Sequence, residues 1–203
     1  MNQNRRCMQD FLTDLASRAA TPGGGSASAL VGAVAAALCG MVGRLNDRKD
    51  GSPGTLHGII APADALVARL QSLIDEDIAA FNELSASWKL ADDAPDARSV
   101  KDAAVLRATE SPLRIMACAV EVMRLAIDGL EKSKKNCLSD AGVAGICAHA
   151  ALEGARLNVM INLPGIRDEA RQQSLANTAA EHRSRAIELR RRIDALIDAN
   201  YAP

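Results

Sequence analysis

The run Leu73-Ile74-Asp75-Glu76-Asp77-Ile78-Ala79-Ala80-Phe81 sets three carboxylates into the middle of a strongly helical stretch. Leu66, Leu70, Leu73, Ile74 and Phe81 recur at three- and four-residue steps and mark one apolar helix face. Asp77 lies three residues after Ile74 and four before Phe81, so it falls on that face, whereas Asp75 and Glu76 point elsewhere. A carboxylate on an apolar face is costly unless it is paired or used, and burial raises its pKa toward general-base duty. Proton abstraction by Asp77 is therefore the candidate chemistry. The alternatives are a buried carboxylate capping another helix, or a side chain turned outward by a helix irregularity.

Three further places bear polar groups with a pattern. In Thr21-Pro22-Gly23-Gly24-Gly25-Ser26, three glycines leave backbone N–H groups open just ahead of a helix, as a cradle for a carboxylate or phosphate or simply as a helix-start turn. No Gly-Lys-Ser/Thr follows, so this is not a Walker A loop. Lys132-Ser133-Lys134-Lys135-Asn136-Cys137-Leu138-Ser139-Asp140 places positive charge and capping residues before another helix. Asp140 is the second candidate acid–base group and equally a candidate cap. Asn158 and Asn162 stand one turn apart near the end of that helix. Asp140 and Asn158 share a face but are about 27 Å apart along the axis. One small ligand cannot touch both unless the helix breaks or the two ends serve different sites, as they would across a dimer. His57, His149 and His182 have no partner at catalytic or metal spacing, so no metal is expected.

The elements that must hold these residues are helices. The periodicity predicts helices over 4–20, from a Ser26 N-cap to about 45, over 63–88, over 97–130, over 139–163 and over 167–200. Pro112 either starts a new segment or kinks the fourth helix. Residues 46–62 and 92–96 read as breaks, and no strand is expected. The expected architecture is all-α, with long antiparallel helices bundled into one domain over 1–203. Helix 26–45 and the Ala141–Ala155 stretch are rich in alanine and glycine, so neighbours must approach closely. Both are expected in the core or at a subunit contact.

Composition narrows the function. Aromatic residues make up 2% of the 203, which argues against sandwiches, barrels and base-stacking nucleic-acid binders. Lys+Arg 24 against Asp+Glu 25 gives a net charge of −1, with no basic field to recruit nucleic acid or anionic membrane. Five cysteines without CxxC spacing suit free thiols in a reducing cytoplasm, the expected location. The N-terminal stretch lacks a signal-peptide core, and the apolar run 26–42 reads as a buried helix, not a membrane span.

TPGGGSASA, the DxxAF of Asp77–Phe81 and NCLSDAGVAGICAHAALEGARLNVMINL at 136–163 together resemble the cyclodeaminase/cyclohydrolase family of folate enzymes. The resemblance implies an all-α homodimer with its folate pocket near the subunit interface. It implies a tetrahydrofolate derivative as substrate and no cofactor. The family's motifs fall on Pro22 to Ser26, on Asp77, on Ser139-Asp140, and on Asn158-Val159 with Asn162-Leu163. The substrate-binding candidates are Gly23, Gly24, Gly25, Ser26, Lys134, Asn136, Ser139, Asn158 and Asn162, and the catalytic ones are Asp77 and Asp140. The sequence departs from the family pattern at Leu45-Asn46, at Ser133-Lys134 and at Leu90-Ala91-Asp92. The expected reaction is formiminotetrahydrofolate cyclodeamination. Methenyltetrahydrofolate hydrolysis is the alternative, and folate binding without turnover the third reading.

Overall fold

The periodic apolar pattern winds into six α-helices in a computed structural model that describes residues 8–91 and 93–201. They are α1 (Met8–Leu15), α2 (Gly24–Leu45), α3 (Ile60–Ser87), α4 (Ala97–Lys132), α5 (Leu138–Asn162) and α6 (Glu169–Tyr201). Short 3₁₀ turns at His57–Ile59, Lys135–Cys137 and Leu163–Gly165 join some of them. No strand occurs among the described residues. Cys7, the expected helical residues 4–7 and Asp92 lie outside the described residues.

The boundaries differ from the periodicity in physically transparent ways. Helix α1 stops at Leu15, not 20, because Ser17 Oγ accepts the Ala19 N–H and gives the chain a local alternative to helix. Helix α3 begins at Ile60, ahead of Pro62, whose missing N–H is harmless in a first turn. Helix α4 runs unbroken through Pro112. A proline there strips the Ala108 carbonyl of its helical donor, and the Asn162 amide of α5 donates to that carbonyl at 2.8 Å instead.

Contacts between small residues set the packing. Helix α2 lies against α3, α4 and α5, while α5 lies against α2, α4 and α6. Gly32 faces Leu70 of α3 and Ala151 of α5, Gly129 of α4 faces Ala141 of α5, and Gly145 faces Ile193 of α6. A Cβ on Gly129 would stand 3.0 Å from that of Ala141, so these backbones approach as closely as alanine and glycine permit. Successive helices run antiparallel: Gly43 at the end of α2 meets Ile60 at the start of α3, and Glu83 and Glu76 of α3 pair with Arg107 and Arg114 of α4. One apolar cluster runs through α2 to α6.

Helix α2 is the one described helix long and apolar enough to cross a membrane, with 61% of its most apolar window buried among its neighbours. Its outer side is not polar, however. Val31, Val34, Met41 and Leu45 are exposed, as are Val143, Ile146, Leu157, Met160 and Ile161 on adjoining α5. The far end of α2 is closed by Asn46, which is buried. Its Nδ2 donates to the Val42 carbonyl at 2.8 Å and its Oδ1 accepts the Lys134 N–H at 2.9 Å.

The Pro112–Asn162 relationship is open to a double-mutant cycle. Asn162→Ala should cost about 1–2 kcal/mol in the wild-type background, where it strands a carbonyl. It should cost little in Pro112→Ala, where the helix supplies its own donor. Urea unfolding of the four proteins measures the coupling, and equal costs in both backgrounds would refute it.

Candidate active site

Helix α2 starts three residues sooner than its serine suggests, at a Gly23 cap instead of Ser26. Ser26 sits inside the first turn. The Gly23 N–H donates to Ser26 Oγ at 3.0 Å, and the Ser26 hydroxyl donates to the Gly23 carbonyl at 3.1 Å. This correction matters because Ser26 is fully buried and its own backbone N–H is directed at the Asp77 carboxyl of α3. The anion cradle expected at the glycines is thus partly filled by the protein's own carboxylate.

The three glycines are not equivalent. A Cβ on Gly23 would make only ordinary contact, 3.7 Å from the Ala20 carbonyl oxygen. On Gly24 it would press to 3.3 Å from Asn158 Nδ2. On Gly25 it would fall 2.6 Å from Asp77 Cγ, a position no side chain can share. Gly25 is what lets Asp77 reach the first turn of α2.

Burial pushes the Asp77 carboxyl up to about 6, and the Ser26 N–H opposes that rise without cancelling it. Its neighbour behaves oppositely. Burial would raise Glu76 too, but Ser72 Oγ at 2.8 Å and Arg69 at 2.5 Å outweigh it and hold that carboxyl below the usual range. Asp75 is exposed. Adjacent acids with divergent environments mark Asp77 as the one poised to exchange a proton near neutrality.

Asp77 lines a cleft of about 180 Å³ together with Thr21, Gly24, Phe81, Asn158 and Asn162. Asn158 Nδ2 donates to the Gly154 carbonyl at 2.9 Å, and Asn162 is held by Ala108, so both amides are fixed by backbone groups. Their Oδ1 atoms remain as acceptors for a ligand. The fold therefore brings together Gly23, Gly24, Gly25, Ser26, Asp77, Asn158 and Asn162. It places Lys134, Asn136, Ser139 and Asp140 at the opposite end of α5. There Lys134 Nζ donates to the Leu45 and Asp47 carbonyls at 3.0 and 3.4 Å, closing the C-terminus of α2. Asn136 and Ser139 are exposed, and Asp140 is half-buried in the first turn of α5. Periodicity missed Phe81 as a wall of the cleft, reading it only as core. It missed Ala108 entirely, because only the Pro112 gap exposes that carbonyl. Among the described residues, no group of three or more His, Cys, Asp and Glu side chains converges as metal ligands.

Gly25→Ala should destabilise the fold by about 1–3 kcal/mol through overpacking and displace the Asp77 carboxyl. Gly24→Ala should be nearly neutral in stability, helix propensity offsetting a mild contact. Thermal unfolding of the two variants measures the difference, and equal effects would show that the Gly25–Asp77 approach is not tight.

Comparison with known proteins places this chain in a family. Residues 7–181 match the family model described as formiminotransferase-cyclodeaminase. Over 170 residues the chain is 37% identical to the methenyltetrahydrofolate cyclohydrolase of Methylorubrum extorquens, spanning 80% of this chain and 82% of that protein. It is 31% identical over 169 residues to the formimidoyltransferase-cyclodeaminase of Rattus norvegicus, covering 80% of this chain but only 31% of that longer protein. The crystal structure of formiminotetrahydrofolate cyclodeaminase from Thermotoga maritima superposes with a TM-score of 0.87 at 24% identity, over 96% of this chain and 97% of that one. That likeness shows the fold. With its model matched over most of the chain, the protein belongs to the formiminotransferase-cyclodeaminase family.

Proposed function

We propose that the Asp77 cleft acts on the one-carbon unit held between N5 and N10 of a tetrahydrofolate. The observation that supports this reading is a carboxyl pushed up to about 6, at the mouth of a small cleft, in a chain of this family. In the hydrolytic reaction, water adds to the methenyl carbon while Asp77 takes its proton. The tetrahedral carbon then opens one C–N bond as its hydroxyl proton leaves to solvent, and the proton held by Asp77 passes to the departing nitrogen. In the deaminating reaction, N10 attacks the carbon of the protonated formimino group, and Asp77 takes the N10 proton and passes it to the formimino nitrogen, which leaves as ammonia. Each route needs one base that becomes an acid, and a carboxyl poised near neutrality serves both steps.

Hydrolysis of the methenyl bridge is the first reading. The supporting comparison is the relative of similar length, the cyclohydrolase at 37% identity. Cyclodeamination is the second, favoured by the Asn136-Cys137-x-Ser139-Asp140 run. Within one chain that run lies far from Asp77, so the second reading needs another copy to supply it. We infer such a copy: a homodimer through the exposed apolar faces of α2 and α5. A two-fold axis across their midpoints would set the second copy's α5 start beside the first copy's Asp77 cleft, because a pair related in this way runs antiparallel. The four described cysteines are free thiols, which supports a reducing, cytoplasmic setting.

Both reactions are followed with purified protein, by methenyl absorbance and by ammonia release. Asp77→Asn should lower turnover by about 10²–10⁴-fold while folate binding stays near wild type, and Asp75→Asn should change little. In the wild type, kcat/KM should rise with pH through about 6, as the base must be ionised. A fully active Asp77→Asn protein removes this residue from the mechanism. Sedimentation at micromolar concentration should show a dimer that Val34→Glu with Val143→Glu converts to monomer. A wild-type monomer would sink the shared-site arrangement.

A further inference from the structure

A second cavity, of about 250 Å³, opens between the end of α3 and the start of α4 and is lined by Trp88, Lys101, Asp102 and Arg167. Resting on the reading that the Asp77 cleft takes the pterin end of folate, we propose that this cavity seats the p-aminobenzoyl-glutamate tail. In this arrangement Trp88 lies against the aromatic ring and Lys101 and Arg167 face the glutamate carboxylates.

Adjacency is the first argument. Ile161 and Asn162 line both cavities, so the two lie side by side at the end of α5. Size is the second. Ligands of drug-like size occupy about 300–1,000 Å³, and the Asp77 cleft alone, at about 180 Å³, falls short. A bicyclic pterin fits that space; a whole folate requires the neighbouring one.

The chemistry of the walls supplies the third argument. Phe81 lines the first cavity and Trp88 the second, and their rings meet edge to face with centroids 6.1 Å apart. Half of the chain's four aromatic residues thus form one continuous wall. Trp88 is 62% exposed, an unusual state for the chain's one tryptophan unless a flat apolar group covers it. Lys101 of α4 and Arg167, just ahead of α6, add positive charge to the lining of the second cavity in a chain of net charge −1. Asp102 also lines the cavity and pairs with Arg167 at 3.4 Å, a long and half-exposed contact that a ligand carboxylate can supplement.

The test uses the full chain and two stable probes, 5-formyltetrahydrofolate and 5-formyltetrahydropteroate, which lacks the glutamate. Binding is read by calorimetry and by the fluorescence of Trp88, and turnover is measured separately. The glutamate-bearing probe should bind about 3- to 30-fold more tightly, with the gap narrowing as salt rises, and both probes should change the Trp88 emission. Lys101→Ala with Arg167→Ala should erase the gap by weakening only the glutamate-bearing probe, and Arg167→Lys should largely keep it. Equal affinity of the wild type for both probes overturns the proposal. So does an unchanged Trp88 emission at saturation, or a double variant that weakens both probes alike. Tail-dependent binding without turnover would leave this site standing and refute the catalytic reading. Turnover without tail dependence would do the reverse.

Discussion

The approach of the Asp77 carboxyl to the first turn of α2 is the constraint on which the site depends. It requires a residue without a side chain at Gly25 and a buried Ser26 whose N–H meets the carboxyl. It also requires α2 and α3 to be nearly touching along their length, which the Gly32–Leu70 and Gly43–Ile60 contacts permit. Two opposed influences then act on one acid. Removal from water raises its proton affinity, while the positive end of α2 lowers it. Burial wins by enough to bring the carboxyl near neutrality but leaves most of it ionised at neutral pH.

The same close packing explains the composition of the chain. Helices α2 and α5 each have neighbours on several sides, and bulky side chains there would push the glycine turn away from Asp77 and Asn158. Alanine and glycine keep both helices thin. They also leave few large apolar groups to fill the core, so Leu70, Leu73, Ile115, Met116, Met123 and Leu152 from α3, α4 and α5 do that. The outward Val31, Val34, Met41 and Leu45 of α2 face solvent in the single chain, a pattern of core on one side and unpartnered apolar stripe on the other.

Much of this was legible in the sequence because helical periodicity reports which face is buried. The inward direction of Asp77 and the order of the helices follow from three- and four-residue steps, and the central place of α2 from its alanine and glycine content. The residues around the cleft that join Asp77 through space are a different matter. Asn158 and Asn162 stood in a recognisable motif, but nothing local says that Asn162 answers a gap opened by Pro112 fifty positions earlier. That bond depends on how α4 and α5 align, which is tertiary information. The cap of α2 was misplaced at Ser26 because serine is the usual N-cap, whereas here its hydroxyl is turned back to Gly23. Lys134 reads in the sequence as positive charge ahead of α5, and its meeting with the carbonyls that end α2 depends on how those helices pack.

The bond from Ser26 to Asp77 has a consequence for how that carboxyl holds a proton. When the carboxyl captures a proton it loses its charge, and with it most of its attraction to the backbone donor and to the positive pole of α2. The protonated state is therefore the one that the helix does not hold. A proton captured there sits against a fixed dipole that favours its release, and the first turn of α2 is the source of that dipole.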